Sequence, residues 1–481
     1  MKTFYHSNFV NCKRPLSIIA LGILSLANTM LSTQAWAQQL KPTTQNIASA
    51  TEYDKLLKNA QALIDSGKAA QAYALLQPLE FEHAGDVRFD YLLGIAALDN
   101  DRPDMATFAL ERVLAVNPDY FAARMEMAHA YFQLGDLQRA RTEFSALLKQ
   151  NPATSTKNNI EKYIMAIDDQ EAGKRTYFSG YLAGSIGRNS NVNSSGSAAE
   201  VFIDSQGIVA PLDPDNIKAA DNYYTLAAGG EIKYHWTPRW GIYAAGDVRQ
   251  LNHHSLKQFN ALNLAMRAGV VYDTKLNNIR VSLLNGQYKL DGARHSEADG
   301  YQATWQHTFS SHNQFNAFAQ SIKYRFVELL LQPNDIDQRS IGLGWQHVLT
   351  GGKSALSGSM HYGDEQDVAP IITATINPSG GRNDGGKHFS GLRVGYQTMW
   401  GDTTVLYANA GTQSSNYDKI NYHFLRQRED RLHDVKLGAN WQWTKSWQLR
   451  PQLSYAKNDS NIALYGYDRI DFAVTLRREF R

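Results

Sequence analysis

The stretch Tyr224-TLAAGGEIKYH-Trp236 alternates with a period of two. Tyr224, Leu226, Ala228, Gly230, Ile232, Tyr234 and Trp236 fall on one face; Thr225, Ala227, Gly229, Glu231, Lys233 and His235 fall on the other. Only an extended strand sends successive side chains to opposite sides in this way. A face that is apolar throughout, aromatic at both ends and backed by charge suits a strand with lipid outside and water inside. The same pattern returns in 260–272, where Leu262, Leu264, Met266, Val270 and Tyr272 oppose Asn263 and Arg267. It returns again in 433–443, with Val435, Leu437, Trp441 and Trp443 against Asp434, Lys436 and Asn440. The last segment sets Ile470, Phe472, Val474 and Leu476 against Asp471, Thr475 and Arg477.

Working outward, fourteen such segments begin near 177, 223, 240, 259, 278, 301, 314, 339, 354, 388, 403, 431, 447 and 468. Their connections alternate in length. Those at 236–239, 273–278, 310–313, 350–353, 400–403 and 444–446 are short, while 189–221, 327–338, 363–387, 414–430 and 457–467 are long. Short turns at one end and long loops at the other are the rule for outer-membrane barrels. Residues 176–481 are therefore expected to form a 14-stranded antiparallel β-barrel, with both chain ends of the sheet at its periplasmic rim. A soluble sandwich is the competing reading, but it requires neither the regular alternation of loop length nor the aromatic strand ends.

Before the barrel the period changes. Residues 52–172 repeat every 34 positions: Ala106 and Ala140, and Pro118 and Pro152, stand 34 apart. Copies at 87–120 and 121–154, with a weaker one at 53–86, carry small residues where two helices cross and a Pro after the second helix, the tetratricopeptide pattern. A further helix at about 157–171 is expected to cap the stack. The concave side of this α-solenoid is expected to present Tyr91, Met125 and His129. They read equally well as a client-binding groove or as packing against a neighbouring domain.

At the other end of the chain, Lys2, Lys13 and Arg14 precede a short apolar run and then Ala35-Trp36-Ala37. These are the parts of a secretory signal peptide over 1–37, with cleavage expected between Ala37 and Gln38 and a linker over 38–51. The only cysteine, Cys12, lies in the segment removed. No cysteine follows the cleavage site to carry a lipid. Over all 481 residues, 48 basic side chains balance 46 acidic ones, so the charge gives no footprint for nucleic acid. A mean hydropathy of −0.42 excludes a bundle of membrane helices but not a barrel.

Motifs of covalent or metal chemistry are missing from the sequence: there is no HExxH, CxxC or GxSxG. Gly381-RNDGG-Lys387 has Walker-like spacing, but His388 stands where Ser or Thr is needed, which leaves a glycine-rich outer loop. His253 and His254 read as residues of a solvated loop. An enzyme, a metal site and a cofactor are accordingly not expected. Asp247, Arg249, Arg267, Arg393 and Lys436 are expected to face the lumen, where they would gate a pore or merely line a wet interior.

The order of signal peptide, short tetratricopeptide module and fourteen-strand barrel resembles the surface lipoprotein assembly modulator (Slam) family. Phe178-SGYLAGSIGRNSNVNS-Ser195, Leu392-RVGY-Gln397 and Tyr407-ANAGTQSSNY-Asp418 are similar to the family's first strand with its Asn-rich loop and to two late strands. The weak first repeat and a terminal strand with Phe480 penultimate and Arg478 in its apolar row depart from that pattern. The resemblance implies a translocator in the cell outer membrane, its repeats in the periplasm. Its partners would be exported client proteins, either surface lipoproteins or soluble haem-binding proteins. Periplasmic chaperones, the barrel-assembly machinery and outer-membrane lipid are further expected partners. An exporter of polysaccharide, a diffusion porin and an adhesin are the alternatives from other classes.

Overall fold

The computed structural model describes residues 44–480 apart from 172, 174, 275, 311, 350, 351 and 370–380. The signal segment, its Ala37–Gln38 junction and the linker up to 43 lie outside the described residues.

Among the described residues eight helices come first: α1 (Thr44–Asp65), α2 (Ala69–Leu76), α3 (Glu80–His83), α4 (Val87–Asp99), α5 (Pro103–Val116), α6 (Phe121–Leu134), α7 (Leu137–Lys149) and α8 (Thr154–Glu171). Helix α1 begins inside the stretch 38–51 that the sequence suggested as linker. Local chemistry sets the other boundaries. The Asp86 carboxylate accepts from the backbone N–H of Arg88 and Phe89 at 2.8 and 3.2 Å, and Asp136 does the same for Arg139. Pro103 starts α5 where no N–H is needed, and Gly135 closes α6 at φ +78°. The helices pair as α1/α2, α4/α5 and α6/α7 under the cap α8. Close approach depends on small residues: a Cβ on Gly94 would lie 2.7 Å from Leu110 Cγ. Phe89, Leu110, Phe144, Ile160 and Ile167 are fully buried in one core. The first pair is weak because Pro78 breaks its second helix after one short run, leaving a 3₁₀ turn and α3 in place of a full partner.

The sheet strands are β1 (Thr176–Asn189), a small outer hairpin β2 (Glu200–Ile203) and β3 (Ile208–Pro211), then β4 (Asp221–His235), β5 (Trp240–His253), β6 (Ala261–Asp273), β7 (Asn277–Leu290), β8 (Ala293–Thr308), β9 (Asn313–Phe326), β10 (Ile336–Val348), β11 (Ser354–Asp367), β12 (Lys387–Trp400), β13 (Thr404–Asn421), β14 (Arg426–Gln442), β15 (Trp447–Ser460) and β16 (Tyr467–Phe480). All but the hairpin form one closed antiparallel barrel of fourteen strands, in which β1 pairs with both β4 and β16. The strand count matches the expectation; several lengths do not. β8 begins at 293 rather than 301, and β13–β14 run on to a turn at 422–425 where a loop over 414–430 was expected. Above the lipid zone the ladder continues, but both faces are wet, so the alternation that betrays a strand disappears while its hydrogen bonds persist.

The outside is apolar: Leu283 and Trp400 are each 70% exposed and Ile186 69%. Eight of the nine tryptophans, Trp236, Trp240, Trp305, Trp345, Trp400, Trp441, Trp443 and Trp447, stand at or near the short-turn ends of their strands. An indole prefers the boundary between lipid and water, so this ring marks one membrane interface. Arg478, the apparent interruption in the last strand, lies 5.6 Å from the Trp447 ring centroid and 5.1 Å from that of Phe480. It belongs to the same boundary, where a cation over a ring is tolerated.

Candidate functional site

The barrel interior is crossed by side-chain clasps that skip a strand. Arg393 on β12 donates two hydrogen bonds to Asp434 on β14, at 2.8 and 2.6 Å. Between them in register, on β13, stands Gly411. A Cβ there would lie 2.7 Å from Arg393 Nη2 and 2.8 Å from Asp434 Oδ1, so the bridge exists only because position 411 has no side chain. Tyr181 on β1 likewise reaches over Gly229 of β4 to donate to Asp247 on β5 at 3.0 Å. Arg267 donates to the other oxygen of Asp247 at 3.2 Å, and the Arg477 guanidinium lies 3.7 Å from the Tyr181 ring centroid. Gly187, Gly391 and Gly438 are saddles of the same kind, under Tyr223–Asp471, His361–Gln413 and Tyr407–Gln452. The clasps that end on a carboxylate contribute about 1.5–3 kcal/mol each, and neutral ones such as Tyr407–Gln452 about 0.5–1.5 kcal/mol.

All five luminal residues chosen from the sequence face inward by register. Asp247 and Arg267 meet each other, and Arg393 meets Asp434. Arg249 and Lys436 set their charges around Asp471. The residues that sequence reasoning passed over are the tyrosines and glycines of the clasps. The signal for them was a Gly on the inward parity flanked in register by long polar side chains, and it can be read only once the register is known.

Outer loops build a cap over part of the long-loop mouth. Arg428 donates to Asp384 at 3.2 Å and to Asp430 at 2.6 Å, with its guanidinium 3.4 Å from the Tyr465 ring centroid and 4.5 Å from that of Tyr417. Arg382 and Lys387 both pair with the buried Glu365, at 2.8 and 3.0 Å. Phe424, Ile462, Leu464 and Tyr465 form a small apolar core against which Val201 and Leu212 from the 190–220 loop pack. Arg382 and Asp384 show that 381–387 is a structured part of this cap. His253 is also buried, beside Tyr223, and is not part of an open loop.

Among the described residues, the helical domain meets the short-turn mouth at two places. Lys445, in the β14–β15 turn, donates to Glu161 of α8 at 2.6 Å. A Cβ on Gly67, in the α1–α2 turn, would lie 3.4 Å from Asn313 Nδ2 and 3.6 Å from Ser310 Oγ at the β8–β9 turn. These turns are separated by six strands one way round the ring and eight the other. The solenoid therefore spans the mouth from rim to rim.

Its proposed groove residues divide. Tyr91 is half-buried, its ring 5.1 Å from that of Tyr120, and Met125 packs partly against the core. His129 does not line an open face, which corrects the expectation. Its ring is buried 4.9 Å from Tyr163 of α8 and 5.8 Å from Phe144, and Nδ1 lies 3.2 Å from Glu126 Oε2. The capping helix covers it. Asp99, at the C-terminal end of α4, was not singled out. Desolvation by the surrounding helices and the nearby Glu126 charge raise its carboxyl to about 7.

A model of the surface lipoprotein assembly modifier family matches residues 178–480, and a tetratricopeptide repeat model matches 97–156. No curated protein matches the chain as a relative. Among solved structures, OmpT of Vibrio cholerae is similar over 63% of this chain and 97% of its own, at 9% identity and a TM-score of 0.36. The toluene transporter TodX of P. putida is similar over 64% of this chain and 91% of its own, at 8% identity and 0.34. The type III secretion translocator chaperone SycD of Yersinia enterocolitica is similar over 27% of this chain and 92% of its own, at 20% identity and 0.25. With the family model covering the whole barrel, the chain belongs to the surface lipoprotein assembly modifier family and is an outer-membrane barrel.

Proposed function

We propose that the protein is a non-catalytic translocator: it receives exported client proteins in the periplasm and moves them to the cell surface or the medium. The observation that carries this reading is a helical-repeat domain bridging the mouth of a barrel of this family, so that anything entering from that side meets the repeats first. The short-turn end is taken as periplasmic, with the solenoid there. The clients are surface lipoproteins, with soluble haem-binding proteins as a second class, delivered by periplasmic chaperones. Passage needs no nucleotide if folding outside makes it irreversible. The route is the lumen or an opening between β1 and β16, whose ladder pairs only ten residues against fourteen for β1 and β4.

The test is to express the chain in a laboratory bacterium with exported lipoproteins of its own source and to shave intact cells with protease. Lipoproteins cleaved only when the chain is present, and spared when 52–172 is deleted, support the translocator. Lipoproteins retained in every case, with sugar polymer or small solutes crossing instead, would promote the polysaccharide exporter or the porin.

A further inference from the structure

We infer that the inner faces of β8, β9 and β10 are the path of an extended, unfolded polypeptide. This rests on the translocator reading and names where in the molecule the cargo runs. By register the inward positions of these strands carry no Asp, Glu, Lys or Arg. Gln302, Gln306, Gln314, Asn316, Gln320 and Gln346 set amides along them, interspersed with Phe318, Ile322, Tyr324 and small residues. Elsewhere the described lumen is different. β4 to β7 place Glu231, Asp247, Arg249, Arg267 and Arg280 inward, and β11, β12 and β14 to β16 are charged as well. β1 has no inward charge of its own and β13 none below Lys419, which pairs with Asp367 at 3.2 Å near the long-loop mouth, but clasps cross both strands.

The chemistry of an amide wall suits a sliding chain. A Gln side chain offers two N–H donors and one carbonyl acceptor, the same groups as a peptide bond. A passing backbone can exchange one such partner for the next at little net cost, because each bond broken is matched by one made. Fixed luminal charges would hold oppositely charged segments and repel like ones. They are also committed to each other, as in Arg393–Asp434 and Arg280–Glu231 at 2.9 Å.

Two further observations fall on the same sector. Of the two described approaches of the solenoid to the barrel, the Gly67 turn lies against Ser310 and Asn313 at the foot of β8 and β9, and the other is Lys445–Glu161 across the ring, so one end of the repeats sits at the base of this wall. At the opposite end, the described cap contacts come from 190–220, 381–387, 417–430 and 461–465. The β7–β8 connection is a two-residue turn, Asp291–Gly292, at φ +50° and +77°, and the β9–β10 loop is only 327–335. The uncharged wall thus stands beside the solenoid at one end, and at the other only β10 reaches the described cap, where Gln338 donates to Glu365 at 3.1 Å.

The experiment uses the chain's lack of cysteine after Cys12. Single-cysteine variants Q302C and Q320C on the wall, and N409C and S454C at similar heights elsewhere in the lumen, are made in the full chain and purified in detergent. The probe is an unstructured polypeptide of Gly, Ser, Asn and Gln, roughly 40 residues long so that it can span the barrel extended, with one activated mixed disulfide. Thiol exchange with the probe should be at least about tenfold faster at 302 and 320 than at 409 and 454, because the chain dwells there. Q314C replaces any wall variant that fails to fold. Equal rates, no exchange at all, or the same bias with a small mixed-disulfide reagent overturn the assignment, the last because it reports access alone. Since this probe is not a client, biased exchange in a protein that exports no lipoprotein would remove the proposed cargo and keep the path. Unbiased exchange in an active exporter would do the reverse.

Discussion

The solenoid and the barrel obey one physical rule in opposite solvents. In the solenoid the large side chains with no exposure are apolar, Phe89, Leu110, Phe144 and Ile167 among them, and the one charged group at 0% among the described residues, Asp90, is paired with Arg112 at 2.6 Å. In the barrel large apolar side chains stand fully outside, Leu283 and Trp400 each 70% exposed, while Asp430, Asn458 and Arg477 are buried inside. Burial drives the first, because water lies outside its core. Lipid drives the second, so its interior need only satisfy hydrogen bonds and charges. The lesson is that exposure has no sign of its own until the solvent is known.

The largest expected effect comes from the dry core. Phe144→Ala should cost the solenoid about 3–5 kcal/mol, since a fully buried ring leaves a cavity. Helical circular dichroism should melt at a lower temperature while the sheet signal is unmoved. If both signals fell together, the two regions would form one cooperative unit and the contrast between them would fail.

Next is a charge on the lipid face. Leu283→Arg should cost about 2–4 kcal/mol of barrel stability in a bilayer, and Leu283→Ala far less. Unfolding titrations in lipid vesicles check it; an arginine tolerated as well as alanine would place 283 outside the apolar belt.

A luminal saddle is the third case. Gly411→Val should break the Arg393–Asp434 bridge and cost about 1–3 kcal/mol. Arg393→Ala in the same background should then add little, because the bridge is already lost. Full additivity in that double-mutant cycle would show that the glycine does not serve the bridge.

The smallest effect is one of pH. Folding raises the Asp99 carboxyl to about 7, so its contribution favours the folded solenoid only while it is protonated. That contribution is complete below the ordinary carboxylate range of about 4 and is lost as pH rises through 7. Asp99→Asn should leave thermal stability unchanged near pH 4 and raise it at pH 8. A variant that loses stability at pH 8 would mean the ionised carboxylate is a favourable partner in the groove.

Much of this is legible in the sequence alone. Period two in 224–236 and 433–443 revealed strands, and the alternation of short and long linkers yielded the number of strands. The 34-residue spacing of Ala106 with Ala140 located the repeats. The misreadings cluster where periodicity loses its physical cause. At 293–300 and 414–430 both strand faces are wet, so the sheet continued without a pattern. His129 sits at a helix position that usually faces the groove, but Tyr163 arrives from a capping helix whose docking no repeat pattern encodes.

The sequence by itself determined which residues face lipid, which face water and how often the chain crosses, because each follows from local parity and length. Only the tertiary structure decided which luminal side chains meet. Arg393 and Asp434 are 41 positions apart and find each other over Gly411 because antiparallel pairing sets β12, β13 and β14 in one register. The same kind of pairing gathered the uncharged faces of β8, β9 and β10 into one wall, and domain packing set the Gly67 turn of the solenoid at its foot.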